Sequence, residues 1–242
     1  MIIPVEPASG TFTRNHLWVP LILFAVSLAT IELLGLDRLI AHAWYYDETT
    51  RQWLGSGSGE WWARTLLHQC GRWVVRGVVI CAAGIWAASF AFGRLRTLRR
   101  PAGYVAASMI AAMLVVGALK AVTNVDCPWD LSDFGGKNPY IGIFAARPDG
   151  LPHAACFPGA HSSSGFSLMC LYFLWREKSP RLAAWGLAAG IAVGVAFSIG
   201  QEARGAHFLS HDLTSAALVW FVQLGLYRLL LCPAATASAT GR

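Results

Sequence analysis

The chain has 242 residues, of which 55% are hydrophobic and only 13% charged, far from the balance of a soluble domain. Its positive mean hydropathy and 11 Trp exclude a disordered chain, and six scattered Cys do not make a disulfide scaffold. The formal charge of +6 would favour nucleic acid only if the basic residues did not sort between the two sides of a membrane.

In chain order, six stretches are apolar enough to span a bilayer: 17–36, 73–93, 103–121, 158–175, 182–200 and 208–231. A span takes about 20 residues, and lipid obliges each to be helical because it offers the backbone no hydrogen bonds. The predicted fold is all-α, one integral membrane bundle of six transmembrane helices over residues 1–242. The first span reads as a retained anchor: its apolar run exceeds that of a signal peptide and no small-residue cleavage site follows. Segment 37–72 carries Trp44, Tyr45, Tyr46, Trp53, Trp61 and Trp62, which reads as an interfacial aromatic belt or, alternatively, a gate for a lipid substrate. GSGSG at 55–59 marks a flexible turn within it. The small-residue runs AASMIAAM and GLAAGIAVGVAF in the third and fifth spans allow close helix packing.

The basic residues sort by side. Arg94, Arg96, Arg99 and Arg100 share a short loop, Arg176, Lys178 and Arg181 another, and Arg14 and Arg242 fall at the same side. That side is expected to be cytoplasmic, with both termini and the 233–242 tail. Segment 37–72, loop 122–157 and the turn near 201–207 lie opposite with most of the acids, so the positive charge is topological and no nucleic-acid partner is expected.

Ionisable groups are costly in apolar helices unless paired or solvated, and here they gather at one face. Lys120 ends the third span, His161 opens the fourth, and Arg204, His207, His211 and Asp212 precede or open the sixth. Lys120 alone reads as a snorkelling lysine, and His161 alone as a polar helix cap. Pro158 leaves N–H groups around Gly159 and Ala160 for an anion. The i, i+4 spacing of His207 and His211 also suits a metal, but a third ligand is wanting and His153 is only a loop residue, so no metal or other cofactor is expected. Two cations, several imidazoles and a free helix start on one face form a phosphate site.

Three segments carry a resemblance: KAVTNVDCP from Lys120 to Pro128, PGAH from Pro158 to His161, and QEARGAHFLSHDL from Gln201 to Leu213. In order and spacing they resemble the KxxxxxxRP, PSGH and SRxxxxxHxxxD motifs of the type 2 phosphatidic acid phosphatase superfamily, over roughly residues 100–225. Cys127 and Gln201 stand where that family has arginine, and Gly159 and Ala160 where it has Ser and Gly. The resemblance implies a divergent bacterial member in the inner membrane with its site on the extracytoplasmic face. It implies a metal-independent lipid phosphate phosphatase with His207 as nucleophile, His211 orienting it and His161 as acid and base. Lys120, Arg204, Gly159 and Ala160 then hold the phosphate, with Asp212 auxiliary; a shifted register makes His211 the nucleophile and puts Ser215 at the acid position. The implied substrates are undecaprenyl diphosphate, phosphatidylglycerol phosphate, phosphatidic acid or lipid A phosphates. A lipid phosphotransferase and a silent scaffold or transporter are the alternatives. Cys127 and Cys156, 29 positions apart on an oxidising face, are expected to form a disulfide, and loop 122–157, with Trp129, Phe134, Lys137, Tyr140, Phe144 and Arg147, either shapes the head-group pocket or merely closes a hairpin.

Overall fold

The computed structural model describes residues 10–232; the expected 233–242 tail and Arg242 lie outside the described residues. The fold is helical. Its elements are α1 (Gly10–Leu34), α2 (Leu36–Ile40), a small antiparallel hairpin of β1 (Tyr46–Asp47) and β2 (Gln52–Trp53), α3 (Gly57–Ala91) and α4 (Gly93–Val122). They are followed by α5 (160–175), α6 (Pro180–Glu202) and α7 (Leu209–Leu230). Five of these, α1, α3, α4, α6 and α7, are long and apolar enough to cross a membrane. The expected sixth span is α5, which at 16 residues reaches about 24 Å, short of the roughly 30 Å hydrocarbon layer.

The packing suits lipid surroundings. Ile22, Leu23, Val26, Leu33 and Leu34 of α1 are exposed, whereas Ser162, Ser163, His207, Ser210, His211, Asp212 and Gln223 are buried. Helix α5 tolerates its buried serines because their hydroxyls donate back along the chain: Ser163 to Ala160 O at 2.7 Å, Ser164 to His161 O at 2.6 Å and Ser167 to Ser164 O at 2.5 Å. The glycine-rich run of α6 lets α5 close on it. A Cβ at Gly186 would lie 2.7 Å from Leu171 Cβ, at Gly190 2.5 Å from Met169 N, and at Gly194 2.1 Å from the Phe166 ring.

Local chemistry explains the helix ends. Pro20 has no N–H to return to the His16 carbonyl one turn earlier; the Trp220 indole of α7 donates to that carbonyl at 2.8 Å instead. Gly35, at φ 61°, ends α1 in the left-handed conformation that glycine adopts freely. Helix α3 runs for 35 residues, about 52 Å, so residues 57–70, expected within an interfacial segment, continue without a break into the expected span 73–93 as one helix. Nor is 55–59 a flexible turn. Gly55 N donates to Ala203 O at 2.7 Å, and a Cβ at Gly59 would lie 2.0 Å from Leu54 O. The outer aromatics divide between two roles: Trp44 and Trp61 are exposed, while Tyr46 and Trp53 pack with Phe134, Ala41, Leu131 and Phe208 into a small core over the same end of the bundle.

Candidate functional site

The end of α4, the start of α5, the end of α6 and the start of α7 meet at one end of the bundle, opposite the Arg94–Arg100 loop. The turn from α6 to α7 carries Arg204 and His207 and is held on three sides. Gly205 sits at φ 70°, a Cβ there would lie 2.3 Å from the Trp53 indole, and its carbonyl accepts from Trp129 N at 2.9 Å. Only glycine satisfies both the backbone angle and the indole above it. Gln201, at the place of the family's motif arginine, accepts from Arg204 Nη1 at 2.9 Å and so aims the guanidinium.

The imidazoles form a row. His207 Nδ1 lies 3.5 Å from His211 Nδ1, and the backbone of Cys156 lies beside both rings. Burial first, then the neighbouring His211 and Lys120, holds the His207 imidazole well below its ordinary pKa, so it is neutral near pH 7. His211 is wedged between Phe157 and Phe208, both edge-on at 5.4 and 5.6 Å between ring centres. His161 donates from Nε2 to Leu67 O at 3.1 Å, since a carbonyl oxygen can only accept. Its ring stacks on Phe197 at 4.3 Å. Lys120 has no hydrogen bond or ion pair among the described residues, and it is close enough to interact electrostatically with His207, His211 and Asp212.

The remaining expected residues fall as follows. Asp212 does not reach an imidazole: its Oδ1 accepts from Ser162 Oγ at 2.5 Å, the Ser198 hydroxyl lies near the carboxylate, and among the described residues no partner stands within hydrogen-bond distance of Oδ2. Gly159 packs directly under that carboxylate, where a Cβ would lie 2.2 Å from Oδ1. The Gly159 N–H donates to His211 O at 3.2 Å, a correction to the expectation that it is free for an anion. Ala160, the first residue of its helix, lies beside it. Ser215 donates to the Gly159 and His211 carbonyls at 2.8 and 2.9 Å, not to a ring nitrogen as the shifted register needs. Cys127 and Cys156 are bonded, with Cα atoms 5.1 Å apart, and Arg147 forks onto the buried Asp126, which also accepts from Asn138 Nδ2 at 2.7 Å. Among the described residues no three His, Cys, Asp or Glu side chains are grouped as a metal site.

Several residues at this end carry no sequence signal. Asp37, pushed up in pKa by burial, caps the first turn of α7 from outside, accepting from Ser210 N at 3.0 Å and from its hydroxyl. Tyr45 faces Glu202, and burial with that carboxyl beside it pushes the phenol up to about 12. His68, on α3, lies 4.5 Å from His161 between ring centres. Contacts of this kind join segments far apart in the chain, and no local pattern announces them.

These features define a polytopic helical membrane protein with imidazoles and cations converging at one end of its bundle. The family model of the PAP2 superfamily matches residues 101–231, more than half of the chain, and the protein belongs to that superfamily. Members are generally phosphatases, and membership suggests a phosphatase-type function in a membrane protein. No curated protein and no solved structure matches the chain.

Proposed function

We propose that the protein is a lipid phosphate phosphatase that works through a phosphohistidine on His207. The observation that carries this reading is the buried His207, facing His211 through Nδ1 at 3.5 Å with Lys120 and His161 around it. A proton on His207 Nδ1, shared with His211 Nδ1 or the Cys156 backbone, leaves the Nε2 lone pair free for in-line attack on phosphorus. The N–P bond forms as the ester or anhydride P–O bond breaks, and the electron pair leaves with the lipid oxygen. Lys120 and Arg204 neutralise the equatorial oxygens, the part of the barrier a protein lowers most in phosphoryl transfer. His161 keeps its Nε2 proton on Leu67 O, so its free Nδ1 lone pair takes a proton from the water that hydrolyses the phosphoenzyme, and it acts as acid toward the leaving oxygen once Nδ1 has taken up a proton from solvent. His211 and the Cys156 backbone stabilise the growing imidazolium less than a carboxylate would. Asp212 acts at one remove, holding Ser162 and the start of α5.

The same reading makes the substrate a lipid with an exposed phosphate, of the undecaprenyl diphosphate, phosphatidylglycerol phosphate, phosphatidic acid or lipid A type. The short basic loops that carry Arg94 to Arg100 and Arg176 to Arg181 at the opposite end, and a disulfide beside the site, support an extracytoplasmic site in a bacterial inner membrane with both termini cytoplasmic. The test is phosphate release from a panel of these lipids by the full-length protein in detergent, with chelator present. His207→Ala and His161→Ala are each expected to abolish release while the protein still folds, and wild type is expected to show an acid-labile phosphoenzyme. Full turnover by His207→Ala together with loss in His211→Ala would transfer the nucleophile to His211.

A further inference from the structure

Beside the His207 centre lies a second positive cluster, contributed largely by α3, outside the family match. His68 lies 4.5 Å from His161, and the charges that act on His68 are those of Arg204, Arg72 and Arg64. Those that act on His161 are His68, Arg204 and Arg72. Neither set contains a carboxylate. Glu60 acts on Arg204, but it is already engaged by Arg64 at 2.5 Å. Among the described residues the side-chain hydrogen bond of Arg204 goes to the neutral amide of Gln201. Arg72 has no hydrogen bond or ion pair among the described residues, although its Nε is buried from solvent. The backbone next to it is fixed, since Phe197, which stacks on His161, lies where a Cβ of Gly71 would come within 2.5 Å.

A half-buried guanidinium without a counter-ion, in a helix that crosses a membrane, is costly unless an anion completes it. Planar recognition by such a fork suits phosphate oxygens. His161 stands between the two clusters, acting on His207 on one side and touching His68 on the other.

We propose that Arg72, with His68 and Arg204, forms a second phosphate subsite, and that the substrate is therefore a lipid diphosphate. This rests on the phosphatase reading above. The terminal phosphoryl group sits at His207 and the inner phosphate lies against Arg72. His207 Nε2 bonds to the terminal phosphorus, the bridging P–O bond breaks, and its electron pair leaves on the inner phosphate as a lipid monophosphate. Water then cleaves the N–P bond to give orthophosphate and restore the imidazole. Arg72 holds the leaving group and makes no bond to the reacting phosphorus.

The test compares kcat/KM for a polyprenyl diphosphate and for phosphatidic acid, using full-length wild type, Arg72→Met and Arg72→Lys in mixed micelles. Arg72→Met is expected to lower the diphosphate-to-monophosphate ratio about tenfold or more, the value of one charge-assisted hydrogen bond, and Arg72→Lys to recover part of it. Equal losses on both lipids would mark Arg72 as merely structural and overturn the subsite, as would no change on either. A second arm measures thermal unfolding with inorganic pyrophosphate or orthophosphate. Pyrophosphate is expected to stabilise wild type more than orthophosphate does, and Arg72→Met is expected to lose that difference. If wild type cleaves neither lipid, the phosphatase reading fails and this arm alone decides the subsite: a pyrophosphate preference that depends on Arg72 upholds it, and equal shifts overturn it.

Discussion

Replacing both bridged cysteines, as Cys127→Ser with Cys156→Ser, tests how the loop between the first two motifs is anchored. The bridge closes a loop of 29 positions. By chain entropy that removes about 12 cal/mol/K from the unfolded ensemble, about 3.6 kcal/mol at room temperature. The double variant should therefore unfold with an equilibrium constant about 400-fold larger. Its Tm should fall by about 7–14 °C for a chain of this size. Other ties across the same loop survive, Cys156 N to Val125 O at 3.0 Å and Ala154 N to Asn124 Oδ1 at 2.8 Å, so the native arrangement should persist. What loosens is the Cys156 backbone beside His207 and His211, and kcat should fall, though less than in His207→Ala. Thermal unfolding in detergent under non-reducing conditions, with a bridged peptide verified by mass spectrometry, provides the measurement. A loss below about 1 kcal/mol in a protein shown to be bridged would refute the entropy argument, and two free thiols in the native protein would refute the bridge.

Two further predictions concern the same end of the molecule. Arg147→Ala leaves the buried Asp126 carboxylate with Asn138 alone; it should cost about 3–5 kcal/mol in unfolding measurements, and pairing it with Asp126→Asn should recover part of that loss. The depressed pKa of His207 keeps the attacking nitrogen unprotonated below the ordinary histidine value of about 6.5. After correction for substrate ionisation, kcat/KM should show no enzyme limb at that value, and an enzyme limb near 6.5 in the wild type would contradict the assignment. The stability linkage has the matching sign. The unfolded chain takes up this proton near 6.5 and the folded one only at lower pH, so the contribution of neutral His207 is complete above that value and is lost as pH falls toward the folded pKa.

Composition and apolar run length determined by themselves that this is a helical membrane protein, because each spanning helix must satisfy its own backbone and face lipid with apolar side chains. They also located Lys120, His161, Arg204, His207 and His211 at one end of the bundle, since alternating spans set the end at which each terminal residue emerges. The exception was α5. Its serines and short length are compatible with a position inside the bundle, where α6 glycines and internal hydroxyl bonds replace contact with lipid, and run length does not report that difference. What the tertiary structure alone decided is which groups touch. Asp212 is taken by Ser162, Gly159 is spent against that carboxylate and on His211 O, and the Cys156 backbone approaches the two rings. Asp37 comes from the far end of the chain to cap α7, and His68 and Arg72 arrive on α3 beside His161. Periodicity and hydropathy are properties of neighbouring residues, whereas these contacts depend on the angle and depth at which separate helices pack. That packing follows from glycine-permitted close approach and from aromatic rings such as Phe197 and Trp53 filling the space between.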